Sequence, residues 1–406
     1  MTVEQSLNEC TGGVTAPAGF SAGGRYAGIR KAKKDIALLQ SRTPAAVAGV
    51  FTQNKTQAAC ILVDKLQIQN SPTCSAVVIN SGNANACTGE RGLNDAWTMI
   101  DTTASTLHVT RDQVLVSSTG VIGQYLPMDK VIPGIQQLAG ELSPTGNRNA
   151  AEAIMTTDTY PKETAVQFSL GSSMITIGGM AKGSGMIAPN MATMLAFVTT
   201  DAVIAQPLLA KALRYANSKS FNRITVDGDT STNDMVLILA NGEAKNKPIK
   251  DHTEEYQLFV AALEYVLVKL AKMIARDGEG ATKLVEILVT GANSEDDAVL
   301  AAKAVANSNL VKTAIHGSDA NWGRILAAVG YSGIDFNPDL VEISFDDVPV
   351  LKKDYEIVLD EEKAKAALSK DSVVVTIDLN QGSANARVWT CDLTKEYVHI
   401  NASYRT

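Results

Sequence analysis

Aromatic residues make up only 5% of this 406-residue chain, and histidine occurs four times, as His108, His252, His316 and His399. None of the four stands in a G-x-S-x-G, papain-like or H-E-x-x-H setting, so a histidine-activated nucleophile is not announced. The five cysteines, Cys10, Cys60, Cys74, Cys87 and Cys391, show no C-x-x-C pair and leave one over. That pattern argues against a zinc ribbon or a disulfide framework and fits a reducing compartment. Basic residues are in deficit, 36 against 43 acidic, and the formal charge of −7 disfavours nucleic acid and anionic membranes as partners. No apolar run approaches the ~18 residues that a membrane helix needs. The opening segment "MTVEQSLNECTGG" has neither a basic nor an apolar stretch, so no signal peptide is expected and the expected location is the cytoplasm. Small molecules are the expected partners.

What is present is an ordinary 45% of hydrophobic residues, with packing carried by Ala, Val, Ile and Leu. The length favours two domains. "AAVAGVFT", "SAVVINSG" and "DQVLVSSTG" read as strands, the last ending in a Ser/Thr/Gly loop at residues 117–120. "TEEYQLFVAALEYVLVKLAKMIARDG" reads as a helix. Thr253 suits its N-cap, Lys272, Arg276 and Gly278 close it, and Leu258, Phe259, Ala262, Leu263, Val266, Leu270 and Met273 form its apolar stripe. "LVEILVTGA" follows as a strand, then a helix from Ser294 to about Ser308 and another in "EEKAKAALSK". The alternation predicts an α/β protein. We expect a main domain over 1–285, a smaller α/β domain over 286–390, and a terminal segment 391–406.

The segment "AKGSGMIAPNMATMLAFVTTD", residues 181–201, places Thr193 where a Gly-rich loop becomes an apolar strand. A hydroxyl without a histidine can be activated by an amine. Cutting the chain between Ala192 and Thr193 would free an α-amino group, with a reference pKa of about 7.7–8.0, on the residue that carries the hydroxyl. A small preceding residue, a flexible approach and a rigid strand behind suit that chemistry. The competing reading is a threonine that merely opens a strand. "KGSG" is not a Walker loop, because Lys182 precedes the glycines, and no Rossmann fingerprint is present. "DGDTSTND", residues 227–234, lacks the glycine and glutamate of an EF-hand, so it reads as a structural turn and no metal is expected.

"GGMAKGSGMIAPNMATMLAFVTTDA" closely resembles the cleavage-site motif of the ornithine acetyltransferase (ArgJ) family, whose members include bifunctional glutamate N-acetyltransferases. "GGVTAPAGF", "INSGNANACTG", "SSTGVIG", "TTDTYPK", "TVDGDTSTND", "RDGEGATK", "GSDANWGRI" and "YVHINASYRT" also resemble the family's blocks, in family order from about residue 12 to the end. The resemblance implies a layered α-β-β-α sandwich of the self-cleaving ArgJ/DmpA-like type with a second, smaller α/β domain. It also implies one precursor cut before Thr193 into chains of 1–192 and 193–406, assembled as α2β2.

Under that resemblance Thr193 is the nucleophile of both cleavage and catalysis, and Thr119 and Gly120 form the oxyanion hole. Thr156, Lys182, Thr193, Glu279, Asn401 and Thr406 line the substrate site. Lys182 suits a carboxylate, and Glu279 suits the ornithine amine. The implied reaction takes acetyl from N2-acetyl-L-ornithine to L-glutamate through an ester on Thr193, with no cofactor. Acetyl-CoA is a second donor used by some members, and no residue decides it here. Two alternatives stand beside this reading: a self-processing aminopeptidase or amidohydrolase of related fold, and a non-catalytic binding protein.

Overall fold

The computed structural model describes residues 7–188 and 194–403, which divide into two compact units. The first comprises residues 7–183, 194–222 and 230–270 and contains a nine-stranded sheet. Its strands are β1 (Asn8–Cys10), β2 (Phe20–Arg25), β3 (Ile36–Phe51), β4 (Thr73–Asn83), β5 (Val114–Val121), β6 (Lys162–Leu170), β7 (Ser173–Lys182), β8 (Leu195–Thr200) and β9 (Met235–Ala240). They lie in the order β1-β6-β7-β8-β9-β3-β4-β5, with β2 also paired to β3.

The long β3 joins the two halves of this sheet. Its first part pairs antiparallel with β2 and β4, and its last part pairs antiparallel with β9. The β3–β4 register shifts between Gln40 and Ala45, and Pro44 falls in that interval. A residue with no N–H to give is tolerated where the ladder is interrupted. Strands β8, "LAFVTT", and β9, "MVLILA", are buried at every position. Such uninterrupted burial requires cover on both faces and explains why these strands do not alternate apolar with polar.

The covering helices of this unit are α1 (Ala59–Asn70), α2 (Gly89–Leu107), α3 (Met128–Ala139), α4 (Asn147–Ala153), α5 (Gln206–Lys219) and the first part of α6 (Glu254–Arg276). Helix α1 packs against β5, α2 against β4 and β5, α4 against β2, and α5 against β3. On α6 the buried face runs through Phe259, Ala262, Leu263, Val266, Leu267 and Leu270. Leu258 and Met273, expected in that stripe, are only half-buried. Thr253 caps the helix as expected, its Oγ1 accepting from the Tyr256 N–H at 3.3 Å.

The second unit comprises residues 184–188, 223–229 and 271–403. Its six-stranded sheet is built from β10 (Leu284–Ala292), β11 (Glu342–Phe345), β12 (Val348–Lys352), β13 (Glu356–Ile357), β14 (Ser372–Asp378) and β15 (Ala384–Cys391), in the order β13-β12-β11-β14-β10-β15. Its helices are α7 (Glu295–Asn307), α8 (Asn309–His316), α9 (Trp322–Gly330), α10 (Glu361–Leu368) and α11 (Lys395–Ala402). Val285, Ile287 and Val289 alternate inward on β10 and share a core with Ala298, Ala301, Ala302 and Val305 of α7. Ser294 caps α7, accepting from the Asp297 N–H at 3.1 Å.

The division falls inside α6, after Leu270, and not at residue 285. The chain leaving α6 is tied to the second unit. Ser184 Oγ donates to the Asp277 carbonyl at 2.6 Å, and Asp392 accepts from the N–H groups of Thr282 and Lys283 at 2.8 and 2.9 Å. The described part of 391–406 also belongs to this unit, Cys391 closing β15 and α11 following. Among the described residues no helix is long and apolar enough to cross a membrane.

Candidate functional site

The parallel pair β4–β5 sets one group of residues. Ser81 pairs with Thr119 and Gly82 with Gly120, and the register shifts at Asn83. Gly120 has φ +136°, and a Cβ placed there would stand 2.2 Å from the Gly82 carbonyl carbon. Only glycine serves where two backbones meet this closely in that conformation. Buried amides hold the strand ends. Asn80 donates to the Asn83 carbonyl at 2.9 Å and accepts from the Ser118 hydroxyl at 2.7 Å. Asn233 donates to the carbonyls of Ala84 at 2.6 Å and Ser118 at 2.8 Å. A satisfied network of this kind rigidifies the backbone it touches.

Lys182, the last residue of β7, is 8% exposed, and its Nζ donates to Thr119 Oγ1 at 3.3 Å. Asp158 lies in the sequence block "TTDTYPK". It forms an ion pair with Lys162 at 2.7 Å, both side chains being fully buried. Its carboxylate also accepts from the N–H groups of Gly183 at 2.7 Å and Thr156 at 2.9 Å. Burial pushes the Asp158 carboxyl up, but the charges of Lys162 and Lys182 with these hydrogen bonds outweigh it and hold the group well below the usual carboxylate range. Thr156 is therefore fixed through its backbone at both ends, because Arg30 donates to its carbonyl at 3.0 Å and to that of Met155 at 2.7 Å.

Asp234 immediately precedes β9 and is 2% exposed. Burial drives its carboxyl well above the usual range, against the opposing influence of the Ser231 and Thr52 hydroxyls and the Lys182 charge. Two aspartates influenced by one lysine are thus pushed in opposite directions.

The second unit holds another group. Glu279 is 7% exposed, and its N–H donates to the Ser184 carbonyl at 2.9 Å. A Cβ on Gly185 would lie 2.4 Å from the Glu279 carboxylate, so the glycine admits that side chain. Asn401, on α11, donates to Glu279 Oε2 at 2.7 Å. Thr394 caps α11 through the Glu396 N–H at 3.2 Å and donates to the Gly280 carbonyl at 2.8 Å, which fixes the helix beside the Glu279 loop. Tyr397, one turn before Asn401, donates its hydroxyl to Asp227 at 3.2 Å. Burial first, then the Asp227 charge, pushes that phenol up. Asp227 also accepts from the N–H groups of Met186 and Ile187 at 2.6 and 2.8 Å.

Of the residues singled out in the sequence, Thr119, Gly120, Thr156 and Lys182 gather in the first unit, and Glu279 and Asn401 touch in the second. Ala192, Thr193 and Thr406 lie outside the described residues. Asp158, Lys162, Asn233 and Asp234 were not singled out, although "TTDTYPK" and "DGDTSTND" contain all four of them. Asp227 and Asp234 are more than a plain turn: one ties a loop down, and the other is buried. Among the described residues no three His, Cys, Asp or Glu side chains form a group that could hold a metal ion.

Comparison with known proteins gives a consistent result. The model of the ArgJ family matches residues 21–406. An arginine biosynthesis bifunctional protein ArgJ from Symbiobacterium thermophilum is 54% identical over 398 residues, covering 97% of this chain and 99% of its own. Its counterpart from Bacillus subtilis is 48% identical over 403 residues, covering 99% of each. The crystal structure of an arginine biosynthesis bifunctional protein ArgJ from Bacillus halodurans is 47% identical with a TM-score of 0.50, covering 51% of this chain and 98% of that one.

Proposed function

This chain belongs to the ArgJ family, and we propose from that premise that it moves an acetyl group from N2-acetyl-L-ornithine to L-glutamate through an ester on Thr193. The precursor is cut between Ala192 and Thr193. The Thr193 hydroxyl then attacks the acetyl carbonyl while its own α-amine takes the hydroxyl proton. The amine passes that proton to the departing nitrogen of ornithine. Glutamate's amine next attacks the acetyl ester, its proton leaves through the same α-amine, and the threonine hydroxyl is restored. Two half-reactions through one ester give ping-pong kinetics.

The observation that carries this reading is the contact between Lys182 Nζ and Thr119 Oγ1 at 3.3 Å. It joins a buried ammonium to a hydroxyl that sits one residue before Gly120, whose φ of +136° only a glycine adopts freely. A hydroxyl and a glycine N–H are suitable donors to a tetrahedral oxyanion, and the ammonium supports developing negative charge. Lys182 also takes the substrate carboxylate, with Thr156 beside it, and Glu279, Asn401 and Thr406 recognise the ornithine amine. The solved chain of the Bacillus halodurans relative spans 51% of this chain while being 98% covered itself, the length one fragment of such a cut would have. Acetyl-CoA as a second donor, an α2β2 assembly, a cytoplasmic location and the absence of a cofactor complete the proposal.

Mass spectrometry of the purified protein tests it. Two chains should appear, the second beginning at Thr193, and incubation with acetylornithine alone should acetylate that second chain. Addition of glutamate should then release acetylglutamate. A single uncut chain that transfers acetyl normally would refute the nucleophile. Acetate released without any need for glutamate would favour the hydrolase.

A further inference from the structure

Asn233 stands two residues before β9, is 4% exposed, and reaches strands that are not β9's neighbours. In the sheet β3 lies between β9 and β4, and β5 lies beyond β4. The Asn233 carboxamide nevertheless donates to the carbonyls of Ala84, just after β4, and Ser118, in β5, at 2.6 and 2.8 Å. Its oxygen accepts from the Thr232 hydroxyl at 2.6 Å. That orientation is dictated, because only the NH2 end of an amide can face two carbonyls. Ser118 and Thr119 share a planar peptide, so holding the Ser118 carbonyl also sets the Thr119 N–H and the place of the Thr119 Cα. Thr119 and Gly120 follow directly, and these are the donors that the proposed reaction aims at the oxyanion.

The other end of the same short stretch holds the strand behind the nucleophile. The Met235 N–H donates to the Met194 carbonyl at 3.0 Å, and Met235 pairs with Leu195 where β8 and β9 run parallel. Met194 is the residue after Thr193. Residues 233–235 therefore grip β5 with a side chain and the start of β8 with a backbone N–H. Two residues of extended chain, about 7 Å, separate the two attachments.

We propose that Asn233 is a positioning residue for the acetyl transfer, registering the donors Thr119 and Gly120 against the strand that begins behind Thr193. This rests on the acetyl-transfer reading of the site. Oxyanion donors act only where they meet the developing charge, and a misplacement of about 1 Å costs about 10²-fold. Asn233 acts through the Ser118 peptide and not on the reacting atoms. After the proposed cut it would act across the two fragments. Asn233 and Thr193 would lie in the carboxy-terminal one, and Thr119 and Gly120 in the amino-terminal one.

A buried amide at the other end of β5 supplies the control. Gln67, 5% exposed, donates to the carbonyls of Arg111 at 2.7 Å and Val114 at 3.0 Å. It holds two carbonyls as Asn233 does, but at the start of β5, about 16 Å along the strand from Thr119. Loss of either amide leaves two carbonyls without that donor, so both losses weaken the fold. Only the loss of Asn233 bears on the oxyanion donors.

The test is steady-state kinetics of Asn233→Ala and Gln67→Ala, with kcat referred to cut chains and thermal melts run in parallel. Both variants should melt below the wild type. Asn233→Ala should lose about 10–100-fold in kcat while KM for acetylornithine stays within about twofold. Gln67→Ala should keep the wild-type kcat. Combining Asn233→Ala with Thr119→Val should cost much less than the product of the single losses, because one acts through the other. Equal kcat losses in the two alanine variants, a wild-type kcat in Asn233→Ala, or full additivity would overturn the inference and leave the oxyanion hole standing. A wild-type kcat in Thr119→Val would instead overturn the hole itself, and the inference would fall with it. Should Asn233→Ala not fold or not be cut, Thr232→Val decides. It removes the hydroxyl that anchors the carboxamide and should lower kcat several-fold, whereas Thr232→Ser, which keeps the hydroxyl, should restore it. Equal kcat in Thr232→Val, Thr232→Ser and the wild type would overturn the inference.

Discussion

The ammonium of Lys182 donates to the hydroxyl of Thr119 across 3.3 Å, linking the last residue of β7 to the far end of β5. The contact orients the hydroxyl that the proposed reaction needs as an oxyanion donor. Thr119→Val should therefore lower kcat by about 10²–10³-fold, the usual cost of one such donor. KM for acetylornithine should change much less. Steady-state kinetics on folded protein check this, and an unchanged kcat would remove Thr119 from the oxyanion hole.

Gly120→Ala tests the neighbouring backbone. Its Cβ would enter the space of the Gly82 carbonyl carbon at 2.2 Å with φ at +136°. Strain of this kind costs about 1–3 kcal/mol before any repacking. The variant should melt at a lower temperature and lose at least as much kcat as Thr119→Val. Wild-type values of both would show that the strand pair tolerates a side chain there.

Asp158 offers a stability prediction. Asp158→Asn leaves Lys162 buried without its counter-charge, which should cost about 3–5 kcal/mol. Because the folded carboxyl lies below its ordinary range, its contribution is fully present above that range and is lost as pH falls through the folded value. Denaturant titrations should thus show the gap between wild type and variant narrowing with acidification. A gap that stays constant from neutral to strongly acid pH would contradict the ion pair as its source.

Glu279 and Asn401 should act as a couple in recognising the substrate. Glu279→Gln removes the negative charge offered to the ornithine amine and should raise KM for acetylornithine by tenfold or more. Asn401→Ala should have an effect in the same direction, and the double variant should be less than additive, because the side chains meet at 2.7 Å. Deleting residues 402–406 should raise KM while leaving cleavage intact. Full additivity, or normal kinetics after truncation, would place α11 outside substrate recognition.

Much of this was readable in the chain because local chemistry agreed with tertiary need. Thr253 and Ser294 cap helices where the pattern puts them, and β10 covers the residues "LVEILVTGA". The start of β3 was not readable: Pro44 interrupts "ALLQSRTPAAV", so the strand seemed to begin at residue 45 and not at Ile36. Buried aspartates escaped for a different reason. Nothing near Asp234 in sequence reveals that it is buried, because the strand it precedes, β9, lies between β8 and β3 in the sheet. Asp158 was hidden in the same way, since Gly183 completes its hydrogen bonds from 25 residues away.

Strands β8 and β9 lie side by side between β7 and β3. After a cut at Ala192, both would belong to the carboxy-terminal fragment, with ladders to the amino-terminal fragment on each flank. One ladder runs from Ile177↔Thr200 to Lys182↔Leu195, and the other from Ala46↔Ala240 to Phe51↔Met235. Separating the fragments would open two rows of main-chain hydrogen bonds in a region sealed on both faces. The proposed cleavage would therefore create a new chain end without creating a subunit that can leave. Fragments of such a cut would be obligate companions, expected to co-purify through dilution and high salt and to part only when the fold itself is lost.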